Sequence, residues 1–232
     1  AQAFVGILEH HGISVFVPSG QLPSGMPLIS QGNTERAKSL ARRNITLLAD
    51  AIRQGYHVIA TEPSAALCLT HEYPNLLDDA DAELVAKNTS EACEYLWQLH
   101  TAGKQHLDLN PINTSLAYHE PCPVRALNTH RAGEKLLGLI PGVSVHSVDR
   151  GCSGMAGLYG LRSENYIRSL RMGLGMINEV RNASIQIGAS ECSACRMQMR
   201  QGTAKPTLHP LKLLAASYGL TPNPVIPRRS HR

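Results

Sequence analysis

Aromatic residues and long apolar runs are scarce in this sequence of 232 residues. Aromatics make up 4% of the chain and apolar residues 43%, so aliphatic side chains, alanine and methionine must fill the core. No run approaches the roughly 20 consecutive apolar residues of a transmembrane helix, and no signal-peptide pattern opens the chain. We therefore expect no membrane-spanning segment.

Strong charge and the common catalytic motifs are also absent. The net charge is a modest +4, and the only basic cluster lies in residues 228–232. No basic helix or aromatic platform accompanies this cluster, so nucleic acid is not an expected partner. The sequence shows no Walker motif and no Ser-His-Asp arrangement. Gly173-x-Gly175 lies within a helical pattern rather than after a strand, unlike a nucleotide-binding fingerprint.

Cysteine is the informative residue type. Of the six cysteines, four lie in motif-like settings beside glycine, proline or another cysteine, and these are Cys122, Cys152, Cys192 and Cys195. A Cys-x-x-Cys pair with two cysteines from distant loops is what a four-thiolate metal or iron–sulfur site requires. The other interpretations are core cysteines and a redox disulfide between Cys192 and Cys195. Cys68 and Cys93 lie on helices among apolar neighbours and are predicted to be buried structural thiols.

Short matching segments indicate an internal repeat. Ser24-Gly25-Met26-Pro27 resembles Ser153-Gly154-Met155-Ala156, and residues 62–66 resemble residues 191–195, both at an offset of 129 (153 − 24 and 191 − 62). Residues 12–15 match residues 142–145 at an offset of 130 (142 − 12), which requires a one-residue gap. A shared order and spacing of three segments favours two copies of one unit.

The repeat predicts one metal site in the chain. Pro23, Pro63 and Ala66 stand at the positions of Cys152, Cys192 and Cys195, and the counterpart of Cys122 would fall before residue 1. We interpret the chain as three parts. Residues 1–106 are a degenerate first repeat that is truncated at its N-terminus, residues 107–220 are a second repeat that carries the metal site, and residues 221–232 are a proline- and arginine-rich tail. The chain also begins with alanine, so we expect a fragment of a longer polypeptide.

Alternating strand and helix patterns predict an α/β fold of two pseudo-symmetric repeats, with parallel sheets flanked by helices. The expected strands are residues 14–17, 57–60, 115–118, 143–148 and 185–187. The expected helices are residues 34–54, 63–74, 89–100, 163–180 and 210–218. Each cysteine motif follows a strand. Because ligands collect at the carboxyl ends of parallel strands, the three motifs are expected to converge on one site.

The cysteine spacing resembles that of the cysteine-rich CCG domain, which occurs in the B subunit of heterodisulfide reductase, the iron–sulfur subunit of glycolate oxidase and the C subunit of anaerobic glycerol-3-phosphate dehydrogenase. In that pattern a cysteine precedes a Cys-Cys-Gly and then a Cys-x-x-Cys. Here 29 residues separate Cys122 from Cys152 and 39 separate Cys152 from Cys192. The doublet is replaced by Cys152-Ser153-Gly154. With four cysteines rather than five, the resemblance implies a [4Fe-4S] cubane rather than a non-cubane cluster, and zinc stays open as the alternative.

The resemblance further implies the function and the setting. It indicates that the chain is the iron–sulfur electron-transfer part of a flavin-linked dehydrogenase that acts on a 2-hydroxy acid or glycerol 3-phosphate. The chain would then be the C-terminal portion of an FAD/iron–sulfur oxidoreductase. The FAD would lie on a partner subunit or an upstream region, with a quinone-linked acceptor and no complete active site in this chain. Thiolate ligands suit a cytoplasmic protein, free or peripheral at the inner membrane face. The alternatives are a structural four-cysteine zinc domain for subunit assembly and a thiol–disulfide enzyme.

Several other residues near the motifs have ordinary expected roles. His119 and His209 are predicted to be surface or capping histidines rather than ligands. Glu62 and Glu191 are predicted to cap helices or shape turns. Ser153 is predicted to turn the chain rather than to donate a hydrogen bond at the site, and Gly154 and Gly157 are predicted to allow close backbone approach.

Overall fold

The computed structural model describes residues 1–224, so most of the predicted tail lies outside the described residues. The first half contains seven helices and two strands: α1 (Gln2–His10), α2 (Met26–Ile29), α3 (Thr34–Arg53), β1 (Val58–Ala60), α4 (Pro63–Leu67), α5 (Tyr73–Leu76), α6 (Ala80–Lys87), β2 (Thr89–Glu91) and α7 (Ala92–Thr101). A π-helical turn, Cys68–Glu72, joins α4 to α5.

The second half contributes the larger sheet. Its elements are β3 (Thr114–His119), α8 (Cys122–Leu127), α9 (Ala132–Gly138), β4 (Val143–Val148), α10 (Tyr166–Met172), α11 (Leu174–Arg181), β5 (Ile187–Ala189), α12 (Ser193–Thr203), β6 (Thr207–Leu208) and α13 (Pro210–Ser217). Two short 3₁₀ turns, Tyr159–Leu161 and Ser163–Asn165, lie between β4 and α10.

Both sheets are parallel, and β3 is the centre of the larger one. The four strands have the order β4-β3-β5-β6, and β1 pairs with β2 in a separate sheet. Alternate side chains of β3 point to opposite faces. Leu116 and Tyr118 pack with α1, α7, α9 and α13, whereas Ala117 packs with α11 and α12. This three-layer arrangement confirms the predicted α/β class with parallel sheets flanked by helices.

The two halves share one hydrophobic cluster, and two further clusters each lie within one half. Phe4, Ile7 and Leu8 of α1 and Leu96 of α7 pack in the same cluster as β3. Thr61, just after β1, accepts a hydrogen bond on its carbonyl oxygen from His209 Nε2 at 3.1 Å. The predicted boundary at residue 106 therefore does not separate two independent cores, and the division into domains stays a prediction.

Four expected elements differ from the structure. Residues 14–17 form no strand, because no neighbouring strand pairs with them within residues 1–224. Residues 89–91 are strand β2 rather than the start of a helix, and Glu91 instead caps α7 by accepting from Cys93 N at 2.8 Å. The helix expected over 163–180 is broken at Gly173 into α10 and α11, and β5 begins two residues later than expected.

No helix among residues 1–224 combines the length and the apolar character that crossing a bilayer requires.

Candidate metal centre

Three adjacent parallel strands deliver the four cysteines of the predicted site to one edge of the larger sheet. Cys122 is the first residue of α8, which follows β3, and Cys152 lies in the loop after β4. Cys192 is the N-cap of α12, which follows β5, and Cys195 lies in its first turn. Because β3 lies between β4 and β5, the three loops are neighbours at the carboxyl ends of the strands, as the sequence predicts.

Cys192 and Cys195 form the buried side of this edge. A hydrogen bond with the Cys195 thiol lowers the pKa of Cys192, while burial and the carboxylate of Glu62 act in the opposite direction. The pKa of Cys195 is raised, first by its hydrogen bond with Cys192 and then by burial. A thiolate is therefore favoured at Cys192, where the helix N-terminus also presents its free N–H groups.

Cys122 and Cys152 form the outer side. The side chain of Cys122 is exposed and Cys152 is half-buried. Burial raises the pKa of Cys122, and the charge of Cys152 beside it raises that pKa further. The backbone N–H of Gly154 donates to Cys152 Sγ at 3.2 Å. The outer thiols are thus close to one another and close to solvent.

Ser153 connects the two sides. Its hydroxyl lies 3.1 Å from Cys195 Sγ, and the residue is 2% exposed. The expectation that Ser153 only turns the chain is therefore wrong. The four thiols lie as two pairs, and within residues 1–224 no three His, Cys, Asp or Glu side chains are grouped closely enough to hold a single metal ion. The four-cysteine ligand set stays a prediction.

Glycine shapes the loop that carries Cys152. A Cβ added to Gly154, at a φ of +88°, would lie 2.1 Å from the carbonyl oxygen of Ser169 in α10. A Cβ on Gly173 would lie 2.2 Å from the carbonyl oxygen of Ser153. Only glycine permits this backbone contact. A Cβ on Gly157, by contrast, would have no protein atom within 4 Å, so the expected close approach at this residue stays a prediction.

The two histidines near the motifs differ in role. His209 accepts a hydrogen bond on Nδ1 from Leu211 N at 3.1 Å and so caps α13, as expected. His119 is 1% exposed, and neither ring nitrogen has a hydrogen-bond partner in the described part of the chain. Burial lowers the pKa of His119 to about 4. His119 is therefore a buried neutral ring three residues before Cys122, neither a surface nor a capping residue.

The two glutamates also differ. Glu62 is the N-cap residue of α4, but its side chain makes no cap hydrogen bond there; its carboxylate accepts from Ser193 N, at 3.2 Å, at the start of α12. Glu191 is fully buried and accepts a hydrogen bond from Tyr118 Oη at 2.9 Å, so its expected capping or turn role is wrong. Burial raises the pKa of Glu191 to about 7.

Sequence reasoning missed the neighbours of Glu191. Glu91 is buried beside it, and burial followed by the charge of Glu191 raises the pKa of Glu91 to about 8. Gly133 makes room for Glu191, since a Cβ there would lie 1.8 Å from its Oε1. No local pattern marks these contacts. The expected burial of Cys68 and Cys93 is confirmed, since both are 0% exposed.

Comparison with known proteins identifies the segment that holds these loops. Residues 116–200 match the family model described as a cysteine-rich domain, CCG. These residues belong to the CCG cysteine-rich domain family. The match covers β3 through most of α12 and includes all four cysteines of the CCG segment.

The similarity to whole proteins extends beyond the CCG segment. The chain is 30% identical over 212 residues to the C subunit of the anaerobic glycerol-3-phosphate dehydrogenase of Escherichia coli, covering 91% of this chain and 53% of that protein. It is 24% identical over 233 residues to lactate utilization protein A of an Exiguobacterium species, covering 92% of this chain and 86% of that protein. It is 21% identical over 197 residues to an uncharacterized iron-sulfur protein of Methanocaldococcus jannaschii, covering 84% of this chain and 37% of that protein. The chain thus spans about half the length of the first of these relatives.

Proposed function

We propose that this chain is the iron–sulfur electron-transfer part of a flavin-linked dehydrogenase, with one [4Fe-4S] cluster held by Cys122, Cys152, Cys192 and Cys195. The observation that carries the proposal is that three cysteine-bearing loops meet at one sheet edge within a CCG domain. Two relatives support the assignment by name, one as an iron–sulfur protein and one as part of a glycerol-3-phosphate dehydrogenase.

The donor set suits this cofactor. Thiolates are the ligands of iron–sulfur clusters, and such a cluster, when bound, takes up and releases single electrons. Gly154 N–H and the Ser153 hydroxyl lie within hydrogen-bonding distance of Cys152 and Cys195. Hydrogen bonds to ligand sulfurs raise the reduction potential by stabilising the more negative state. The exposed Cys122 places the site near the surface, where a redox partner has access.

The flavin and the substrate belong to the rest of the proposed complex. FAD would lie on a partner subunit or a fused domain that oxidises a 2-hydroxy acid or glycerol 3-phosphate. A quinone-linked acceptor would take the electrons onward, in the cytoplasm or at the inner membrane face. Anaerobic isolation from the native source should co-purify a flavoprotein, and lactate or glycerol 3-phosphate should bleach the cluster absorption. Isolation without flavin, or no response of the cluster absorption to either substrate, would count against the proposed flavin-containing partner and its substrate.

Metal analysis of cysteine variants tests the ligand set. The chain purified under strict anaerobiosis should contain iron and acid-labile sulfide, and dithionite should bleach a broad visible band. Serine at any one of the four proposed ligands should remove most of the iron, because a four-thiolate site that loses one bond also loses its closure. Cys68→Ser and Cys93→Ser are the matched controls and should keep full iron.

Other results would point to the alternatives. Stoichiometric zinc without iron in anaerobic protein would favour a structural zinc domain. Metal-free protein with a reversible Cys192–Cys195 disulfide, unaffected by Cys122→Ser, would favour thiol–disulfide chemistry. A single variant that keeps full iron would remove that cysteine from the ligand set.

A further inference from the structure

Two hydrogen bonds in series join α12, the helix of the inner thiols, to the loop that carries Cys152. The side chain of Gln198 donates from Nε2 to Ser169 Oγ of α10 at 3.1 Å. Ser169 Oγ in turn donates to the carbonyl oxygen of Gly154 at 2.9 Å. A serine hydroxyl has one proton, so accepting from Gln198 leaves that proton for Gly154. We call these two bonds the Gln198–Ser169 bridge.

The bridge is buried along its whole length. Gln198 is 2% exposed and Ser169 is 1% exposed, and Gly154 is buried as well. Among residues 1–224, the Ser169 hydroxyl is the only group that donates to the Gly154 carbonyl oxygen. A buried carbonyl oxygen that loses its donor is left unpaired, which costs more than the loss of a hydrogen bond at the surface. The bridge therefore stabilises the observed position of the loop.

The bridge starts from the same face of α12 as the inner thiol Cys195. Cys195 and Gln198 are three residues apart, so their side chains are neighbours on the helix. Cys195 Sγ lies 3.1 Å from the hydroxyl of Ser153, and the bridge ends at the next residue, Gly154. α12 is thus joined to two consecutive residues of the Cys152 loop, once through a thiol and once without one.

A second bond between the same two helices lies nearer the surface. Gln201 Nε2 of α12 donates to Tyr166 Oη of α10 at 2.9 Å. Gln201 is exposed and Tyr166 is half-buried. This bond does not continue to the Cys152 loop. The two glutamines therefore separate a contact between helices from a contact that reaches the loop.

We propose that Ser169 and Gln198 are positioning residues that hold the Cys152 loop against α12 whether or not a metal is bound. The contact between Ser153 and Cys195 depends on the state of the thiol, because a cysteine that binds a metal gives up its proton. The bridge contains no thiol, so metal binding and release leave it intact. The loop is then preorganised for its ligand role. The benefit to the cluster rests on the proposed function, whereas the hold on the loop does not.

Hydrogen exchange of the reduced, metal-free chain tests the hold on the loop. The reporters are the amides of Gly154, Tyr159 and Gly160, which are hydrogen-bonded within the loop. Ser169→Ala should speed their exchange about tenfold, because the loss of a buried hydrogen bond favours opening. Exchange in β3 should stay unchanged, whereas a general loss of stability would speed exchange in both segments. Mass spectrometry of peptic peptides measures both segments.

Variants of Gln198 test whether the two bonds act in series. Gln198→Met keeps a long, unbranched side chain but removes the donor, and it should speed loop exchange about threefold. In a Ser169→Ala background the same change should add little, because its bond has already been lost. The matched control is Gln201→Met, which removes the bond to Tyr166 and should leave loop exchange unchanged.

Iron release tests the consequence for the metal site. The chain loaded with iron and sulfide under anaerobic conditions is mixed with the chelator bathophenanthroline disulfonate. Ser169→Ala should release iron about tenfold faster than the original chain, because a loop that opens more often breaks the bond from Cys152 more often. Gln201→Met should release iron at the original rate. Circular dichroism confirms that all variants fold.

Four results would overturn the proposal. These are unchanged loop exchange in Ser169→Ala, an equal increase of exchange in β3, an effect of Gln201→Met as large as that of Gln198→Met, and faster loop exchange without faster iron release. An original chain that binds no iron would instead refute the proposed cluster. The exchange data would then still decide whether the bridge holds the loop.

Discussion

At the scale of single residues, one charge that acts on the inner thiols comes from the other half of the chain. Glu62 follows β1, yet its carboxylate lies at the start of α12, where it accepts from Ser193 N. The same carboxylate opposes ionisation of Cys192. The first half therefore takes part in the electrostatics of the site, although its positions that correspond to Cys152, Cys192 and Cys195 carry no cysteine.

Glu62→Gln should raise the reduction potential of the cluster. Removing a negative charge favours the more negative reduced state, by on the order of tens of millivolts for a charge next to a ligand loop. A potentiometric titration followed by visible absorption measures the shift. Glu35→Gln, at an exposed position on α3, is the control and should leave the potential unchanged. A lower potential in Glu62→Gln would show that the carboxylate does not act on the cluster through its charge.

His209 should make the chain less stable as the pH falls. Burial lowers its pKa to about 3 in the folded protein, whereas an unfolded histidine titrates near 6.5. Between these values the unfolded state binds the extra proton, so stability is full above about pH 6.5 and falls toward pH 3, by up to ~1.4 kcal/mol per pH unit.

The variant His209→Asn isolates this effect. Asparagine is also a favourable N-cap but does not titrate, so urea unfolding should show a smaller loss of stability between pH 7 and pH 4.5. His71→Asn, at an exposed histidine, should keep the original pH dependence. An unchanged slope in His209→Asn would show that His209 is not the group responsible.

At the scale of elements, the contact between the Cys152 loop and α10 depends on glycine. Gly154 and Gly25 have matching positions in the repeat and nearly equal φ values, +88° and +87°. Their surroundings differ: a Cβ would meet backbone at 2.1 Å at Gly154 but at 3.7 Å at Gly25. The two positions therefore separate the cost of backbone conformation from the cost of crowding.

Gly154→Ala should destabilise the chain more than Gly25→Ala. Both variants cost about 1–2 kcal/mol for alanine in a left-handed conformation, and crowding against Ser169 adds about 1–3 kcal/mol only at Gly154. Urea unfolding of the two variants measures the difference. Gly154→Ala should also lose iron, because the loop that carries Cys152 must move. Equal destabilisation would mean that α10 yields to the added methyl group.

The elements that local pattern predicts well are those whose partners are nearby in sequence. α3 carries Ala37, Ala41, Ile45 and Leu48 on one buried face, and it begins and ends within one residue of the expected range. Residues 14–17 have a strand-like composition yet stay unpaired, since pairing needs a neighbour that residues 1–224 do not supply. Residues 89–91 form a strand only because β1 lies beside them.

At the scale of the whole molecule, the related halves differ in ligands. By its position before α4, Glu62 corresponds to Cys192, and Ala65 then corresponds to Cys195, one residue from the pairing that the sequence repeat indicates. Neither pairing gives the first half a thiol at the Cys-x-x-Cys position. The inner thiols of the second half thus have no counterpart there.

The chain should therefore hold one cluster. Anaerobically reconstituted protein should contain about four irons and four sulfides per chain, with a single redox transition. The Cys192→Ser variant should abolish that transition, while Cys68→Ser, which changes one of the two buried thiols of the first half, should retain it. A content near eight irons, or a second transition that survives Cys192→Ser, would contradict this stoichiometry.

Local patterns are enough to predict the α/β class and the loops that carry the four cysteines, because strand and helix periodicity and residue chemistry are properties of short segments. Which polar groups surround those thiols depends instead on how the chain folds in three dimensions. Ser153 reaches Cys195 across 42 positions, and Glu62 reaches Ser193 across 131. The burial of His119 and Glu191 likewise depends on distant elements that close over them. Such contacts are set by how the parallel strands bring remote loops together, which no window of sequence contains.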